Sequence, residues 1–428
     1  MIHVNWFVVI SVSLILVAFG WTWLCRRALF IFPSTWVLLL LTLVYLAPAL
    51  WFSAEIAEMS PYAVTALAYC ATFVAGGLFV QLTLRSSRFL PMPALPEPSA
   101  GAHHASGALR MVLAVLAVIM AWYLALVPLR ATGLYGLLLD PDNYALLREE
   151  SLKLVGSASL QYVYLIGFSA LSPLAFTLML ARSAELRGIR KAVLVAGVTT
   201  MLAFYLLITG ARIGLVNLAL AGLMYAFLRN HMQLGLRPIL LAGVIFLGVP
   251  VLLTILREQG RGDSTVLEYV AAVGDRIFLV PLLISGWFVE YADTFGRSGL
   301  TAAMGFGDQP NWTNLIALEF LDRYESVTIE SVTTPAAFIF SNYLYFGWLG
   351  LIPSWVALFV IDMPMRFARR ALPPLRVPLI ATMLYFSVIF AQSGFGVTVL
   401  SHGYFLLALI AWVGARRATR YGNSATPP

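Results

Sequence analysis

The sequence predicts an all-α, polytopic integral membrane protein with about eleven transmembrane helices and one large loop on the outer side. Two observations lead to this prediction. Hydrophobic residues make up 61% of the 428-residue chain, and only 11% of the residues are charged, whereas soluble globular domains have about 25% charged residues. The apolar residues also form runs near the length of about 20 residues that a spanning helix needs. We therefore expect a single membrane domain over residues 1–428.

Eleven apolar runs are candidates for spanning helices. They cover residues 4–25, 28–52, 61–84, 110–130, 161–181, 192–209, 213–229, 238–256, 335–361, 377–397 and 398–415. No basic segment precedes the first run and no small-residue cleavage pattern follows it, so we expect it to remain as an anchor. The proline-rich stretch 86–109 is expected to be a cytoplasmic linker of low order.

The positions of lysine and arginine set the orientation of such a chain. When alternate connectors are assigned to one side, starting with Arg26 and Arg27, that side collects 18 of the 27 basic residues and the other side collects 17 of the 20 acidic residues. The N-terminus is therefore expected outside and the C-terminus in the cytoplasm. The net charge of +7 comes from short clusters and not from one basic face, so no nucleic-acid partner is expected.

The longest polar segment, residues 257–334, holds 11 of the 20 acidic residues. Long charged loops between membrane helices usually carry recognition or chemistry, so we expect the functional site here. The apolar run 277–292 lies inside this segment. If it spanned the membrane, the basic clusters near 366–370 and 416–417 would move outside, so we interpret it as a short interfacial or re-entrant helix.

Five arginines are candidates for binding an anionic substrate. Arg212 follows a Thr-Gly-Ala turn and begins a helix, where an anion is also favoured. Arg257 and Arg261 follow directly after a span, and Arg276 precedes the interfacial run. Because a guanidinium group donates two parallel hydrogen bonds to phosphoryl oxygens, these residues suit a pyrophosphate. Membrane anchoring and ion pairs with nearby acids are the alternatives. Arg148, in a short amphipathic stretch, is a further substrate-binding candidate.

The remaining candidates are two carboxylates, one indole and one imidazole. Glu290 and Asp293 are three residues apart, so a helix would place both on one face, and the end of an apolar run suits a general base. An ordinary helix end that reaches water is the alternative. Trp312 suits stacking on a sugar ring or anchoring at the interface. His402, near the outer end of the last run, suits substrate binding or a hydrogen bond within the helix bundle. The sequence supports no metal site.

The order of these motifs resembles the O-antigen polymerase family of oligosaccharide repeat-unit polymerases. The resemblance rests on Thr-Gly-Ala-Arg at 209–212, Arg257, Gly-Asp-Arg at 274–276, Thr-Thr-Pro at 333–335 and Phe-Gly-Trp-Leu-Gly at 346–350. Membership implies a glycosyltransferase of the bacterial inner membrane that works at the periplasmic face without metal or other cofactor. It would join undecaprenyl-pyrophosphate-linked repeat units, as donor and acceptor, into long surface polysaccharide such as O-antigen or exopolysaccharide.

The resemblance also assigns roles and partners. Arg212, Arg257 and Arg276 match the family's arginines by position, and Glu290 or Asp293 is the available base. The partners would be the two lipid-linked substrates, membrane lipid and a chain-length regulator protein. The alternatives are an O-antigen ligase, whose family uses a histidine in the large outer loop, a transporter of lipid-linked sugars, and a purely structural subunit. None of the five histidines lies in 257–334, which favours the polymerase.

Overall fold

The structure is a computed structural model. It describes residues 2–50, 62–84, 102–140, 143, 147, 150, 151, 154, 155, 158–209, 213–233, 248, 266–297, 299, 315–317, 319 and 336–424. All regular secondary structure in these residues is helical, and no strand occurs among them. The prediction of an all-α membrane protein is confirmed in this respect.

The described residues contain fifteen α-helices. The α-helices are α1 (Ile2–Cys25), α2 (Pro33–Leu41), α3 (Tyr62–Leu84), α4 (Ala102–Leu126), α5 (Gly133–Leu139), α6 (Ala158–Ile166), α7 (Ser172–Ser183), α8 (Gly188–Leu207), α9 (Ile213–Arg229), α10 (Val266–Phe295), α11 (Phe338–Phe346), α12 (Leu351–Arg370), α13 (Pro373–Phe390), α14 (Phe395–Leu400) and α15 (Tyr404–Ser424). Turns of 3₁₀-helix occupy Arg27–Ile31, Leu129–Ala131 and Gly347–Gly350, and π-helix occupies Thr42–Leu46 and Gly167–Leu171.

Seven stretches of the described residues are long and apolar enough to cross a membrane. They are Tyr62–Thr83, Ser106–Leu126, Gln161–Ser183, Gly188–Leu207, Phe278–Phe295, Phe338–Arg370 and Pro373–Phe390. Val9–Cys25, Pro33–Leu46 and Gly214–Arg229 are shorter apolar helices. The predicted total of about eleven spans stays a prediction, since the run 238–256, apart from residue 248, lies outside the described residues.

Two predicted boundaries differ from the structure. The proposed linker 86–109 is helical from Ala102 onward, because α4 starts there. The run 398–415 does not form one helix, since α14 ends at Leu400 and α15 starts at Tyr404. Gly403, with φ +86°, lies in the turn between them. His402 therefore lies in this turn.

α10 is a continuous helix of 30 residues with Pro281 inside it. It contains the run 277–292, and its part Phe278–Phe295 is long and apolar enough to span. The helix is thus longer than the short interfacial helix expected here. A helix of this length can either span a membrane or lie at its surface. The interfacial interpretation rests on the charge pattern of the sequence.

The chain falls into two compact units. The first contains Met1–Met92, Gly274–Asp362 and Ser387–Phe395, and the second contains Pro93–Val273, Met363–Phe386 and Gly396–Pro428.

In the first unit, α11 folds back on the start of α12. Asn342 Nδ2 donates to Ser354 Oγ at 2.8 Å, although twelve residues of continuous helix would separate them by about 18 Å. The chain reverses at Gly347, where φ is +60°, and Gly350 packs directly on the Asn342 carbonyl, leaving no room for a Cβ. The stretch Phe338–Arg370 is therefore sharply bent at Gly347 and is not one straight rod.

In the second unit, the segment from α6 through the π-helix Gly167–Leu171 to α7 packs among its neighbours. The Tyr164 hydroxyl donates to the Tyr205 carbonyl at 2.8 Å, and the Tyr205 hydroxyl donates to the Tyr164 carbonyl at 3.1 Å. The Thr177 and Thr382 hydroxyls lie 3.2 Å apart and join α7 to α13. Buried polar side chains in this unit thus hydrogen-bond across helices, as membrane helices require.

Candidate functional site

The C-terminal end of α10 carries both predicted carboxylates. Glu290 is half-buried and Asp293 is exposed, and the helix continues to Phe295. Residues three apart on an α-helix are neighbours on one face. The predicted helix is present, and both carboxylates lie at the end of its apolar part, where a base can meet a polar substrate.

Arg276 lies on the same helix but far from these carboxylates. Fourteen residues separate it from Glu290 within α10, which corresponds to about 21 Å along the helix axis at 1.5 Å per residue. Only its backbone position is described. The backbone of Arg276 therefore lies in the N-terminal half of α10, about four turns of helix before the carboxylates.

Arg297 is a cation that the sequence analysis did not single out. It follows α10 by two residues, and its guanidinium group packs on Gly347 so closely that a Cβ there would overlap it. Tyr343 lies close enough to Asp293 and Arg297 for both charges to act on its hydroxyl. The guanidinium is exposed, so it can reach an anionic ligand from a fixed position on the turn between α11 and α12.

An aromatic cluster borders this arginine. The Tyr69 ring lies 5.0 Å from Tyr343 and 5.5 Å from Trp348 between centroids, both edge to face. Trp348 keeps 44% of its surface exposed, next to Gly347 in the chain. An exposed indole on a rigid support suits a sugar face. The end of α10 and this turn thus bring together carboxylates, a guanidinium group and an indole.

A second group of candidates lies in the second unit, around the π-helix Gly167–Leu171. The predicted turn 209–212 follows α8, and Thr209 at its start is buried. Gly214, at the start of α9, packs on the Phe168 ring, where a Cβ would come within 2.8 Å. π-Helical segments occur frequently at functional sites. The π-helix thus contacts the helix that begins directly after the Thr-Gly-Ala-Arg motif.

His402 contacts the same π-helix. Its Nδ1 lies 3.0 Å from the Ser169 hydroxyl, and Gly403 packs between Ile166 and Ala170. Burial lowers the pKa of His402 below its ordinary value. The sequence analysis did not identify Ser169, because a single serine within an apolar run has no sequence signal.

Several predicted site residues lie outside the described residues. They are Arg148, Arg212, Arg257, Arg261 and Trp312. The expected cluster of Arg212, Arg257 and Arg276 therefore stays a prediction.

Comparisons with known proteins give no relative for this chain. No family model, no curated protein and no solved structure matches it. The resemblance of the sequence motifs to the O-antigen polymerases therefore stays a prediction.

Proposed function

We propose that this protein is a membrane glycosyltransferase that polymerises undecaprenyl-pyrophosphate-linked repeat units into long surface polysaccharide at the periplasmic face of the bacterial inner membrane. One structural observation supports this most. Glu290 and Asp293, the guanidinium group of Arg297 and the exposed ring of Trp348 all lie at or beside the end of an apolar helix. Glycosyl transfer from a lipid diphosphate needs a base, a fixed cation and a sugar-binding surface at the membrane boundary.

The proposed reaction uses these groups in one step. The acceptor hydroxyl oxygen bonds to the anomeric carbon of the donor glycan, and its proton passes to Glu290 or Asp293. The bond from that carbon to the phosphate oxygen breaks, and the lipid diphosphate leaves with the electron pair. Arg297 neutralises the charge that develops on this leaving group, where a preorganised cation is worth several kcal/mol.

The length of α10 suggests separate roles for Arg276, within the helix, and Arg297, which follows it by two residues. Both substrates are lipid diphosphates, but the acceptor reacts at its far end, one repeat unit away from its own diphosphate. Arg276 lies about 21 Å from Glu290 along the helix, which suits the acceptor diphosphate, while Arg297 serves the donor. Arg212, Arg257 and Arg261 are proposed to bind diphosphate, and Arg148, Trp312 and His402 are proposed to contact the glycan.

Deletion of the gene tests the proposal. We expect cell-surface glycan to shift from long chains to single repeat units, and plasmid-borne wild type to restore the long chains. Arg257→Ala and Arg276→Ala are each expected to abolish elongation in correctly inserted protein. Complete loss of attached glycan would indicate a ligase, and accumulation of lipid-linked units inside the cell would indicate a transporter. Normal long chains in the deletion strain would exclude the proposal.

A further inference from the structure

Ser169 and His402 form a partly buried polar pair, and no bond-forming or bond-breaking step of the proposed reaction passes through it. Ser169 lies in the π-helix between α6 and α7, and His402 lies in the turn before α15. The Ser169 hydroxyl oxygen and His402 Nδ1 are 3.0 Å apart. Both residues belong to the second unit, so the contact is internal to one compact part of the chain.

The burial of the Ser169 hydroxyl favours one direction for this hydrogen bond, with the hydroxyl as donor. Ser169 is 2% exposed, and a buried hydroxyl needs an acceptor for its hydrogen. Among the described residues, His402 Nδ1 is the one hydrogen-bond partner of that hydroxyl. The hydroxyl is satisfied when it donates to Nδ1. In a neutral imidazole whose Nδ1 accepts, the proton is on Nε2.

The same contact disfavours a charged imidazole. An imidazolium carries hydrogen on both nitrogens, so Nδ1–H would face a hydroxyl whose own hydrogen then has no acceptor. The π-helix facing the ring reads Gly-Phe-Ser-Ala-Leu and has no charged side chain. A neutral ring with a free Nε2–H is a hydrogen-bond donor, and it is neither a cation for a diphosphate nor a base through Nε2.

The backbone holds the imidazole in place. Gly403, with φ +86°, packs against Ile166 and Ala170. A Cβ at this position would lie 3.0 Å from the side chain of Ile166 and 3.1 Å from that of Ala170. The other side of the π-helix holds Gly214 against the Phe168 ring. Gly214 follows Arg212 by two residues in the chain. One π-helix therefore supports both the histidine turn and the start of the helix after the arginine motif.

We propose that Ser169 is a positioning residue that holds His402 as the neutral Nε2–H tautomer, and that His402 donates this hydrogen to a neutral oxygen of the glycan, a hydroxyl or an amide carbonyl. The identity of the ligand rests on the proposed function. The tautomer rests on the Ser169 contact alone, so the two can fail separately.

Nitrogen NMR of purified, ¹⁵N-histidine-labelled protein tests the tautomer. His402→Gln removes one of the five histidine signals and so assigns it. We expect a protonated Nε2 and an unprotonated Nδ1, with the pKa of the ring below its ordinary value because of burial. Ser169→Ala should raise the pKa of His402, because the lost hydrogen bond stabilised the neutral ring, and Ser169→Thr should leave it unchanged. An Nδ1–H tautomer or a charged ring in the wild type would overturn the proposal.

Paired substitutions test the donor role in the deletion strain. Glutamine places an N–H group near the position of Nε2, whereas asparagine places its amide near Nδ1. We expect His402→Gln to keep most elongation and His402→Asn to lose about tenfold, the size of one hydrogen bond. Ser169→Ala should reduce elongation less than His402→Asn does. Ser169→Thr, which keeps the hydroxyl, should elongate like the wild type. Equal loss in both His402 variants would contradict a donor role. If elongation never depended on this protein, the proposed function would fail and the NMR result would remain.

Discussion

The carboxylate of Asp362 accepts the backbone N–H of Ser34 at 3.0 Å, in the first turn of α2. The Ser34 hydroxyl donates to the other carboxylate oxygen and accepts from Gln81 Nε2 at 2.8 Å. Asp362 is 6% exposed. The first N–H groups of a helix have no partner within the helix, and here an acid from α12 supplies one. This contact ties α2, α3 and α12 together within the first unit.

Replacing Asp362 tests how much this contact stabilises the protein. Asp362→Asn keeps an oxygen that accepts from Ser34, so we expect a loss of about 1 kcal/mol. Asp362→Leu removes the acceptor of the buried Ser34 N–H and of the Ser34 hydroxyl hydrogen, and it should cost about 3 kcal/mol. The thermal midpoint of purified protein in detergent measures both. A leucine variant as stable as wild type would show that the contact contributes nothing.

Replacing Gly350 tests the fold-back of α11 on α12. A Cβ at Gly350 would overlap the Asn342 carbonyl oxygen, which belongs to the backbone and cannot move aside. We expect Gly350→Ala to destabilise the protein by about 1–3 kcal/mol. Gly197→Ala on α8 is the matched control, because nothing lies within 4 Å of its added methyl group, and it should stabilise slightly. Equal thermal midpoints for the two variants would contradict the close packing of Gly350 on Asn342.

Replacing Arg297 tests its role at the leaving group. Arg297→Ala is expected to reduce chain elongation by about a hundred- to a thousandfold, the usual effect of removing one preorganised donor at a developing anion. Arg297→Lys should recover only part of this, since an ammonium lacks the planar fork of donors. Arg190→Ala, at an exposed position in α8, serves as the control. Glycan length on gels reports the result, and normal chains from Arg297→Ala would exclude this assignment.

The two carboxylates of α10 are separable by isosteric amides. Glu290→Gln or Asp293→Asn, whichever removes the base, should lower the elongation rate by about a hundredfold or more. The other variant should retain most activity. Glu319→Gln controls for the loss of an exposed negative charge. If both amide variants elongate normally, the base lies elsewhere in the protein.

The sequence predicts single apolar helices well. The predicted runs 61–84 and 213–229 agree within one residue with α3 and α9, because twenty apolar residues in a bilayer have few alternatives to a helix. It does not predict where a helix reverses. Gly347 alone does not predict the bend between α11 and α12, since this bend depends on the packing of Asn342 and Gly350 against each other.

In the candidate site, too, the sequence predicts local features and does not predict contacts between distant segments. Glu290 and Asp293 were predictable because acids at the end of an apolar run are uncommon. Arg297 was not, because its partner Gly347 is fifty residues away in the chain. Ser169 was not, because its role depends on a π-helix and on a histidine from a distant turn. Contacts between distant segments carry no local pattern in a single sequence.

The π-helix Gly167–Leu171 amounts to one inserted amino acid in an otherwise ordinary α-helix, since each turn there closes over five residues and not four. Removing a single codon from this segment would let the α-helical ladder close. The side chains before the deletion would then rotate by about 100° against those after it. Such a one-residue deletion would turn Phe168 away from Gly214 or Ser169 away from His402. The apolar residues around them would still suit a bilayer.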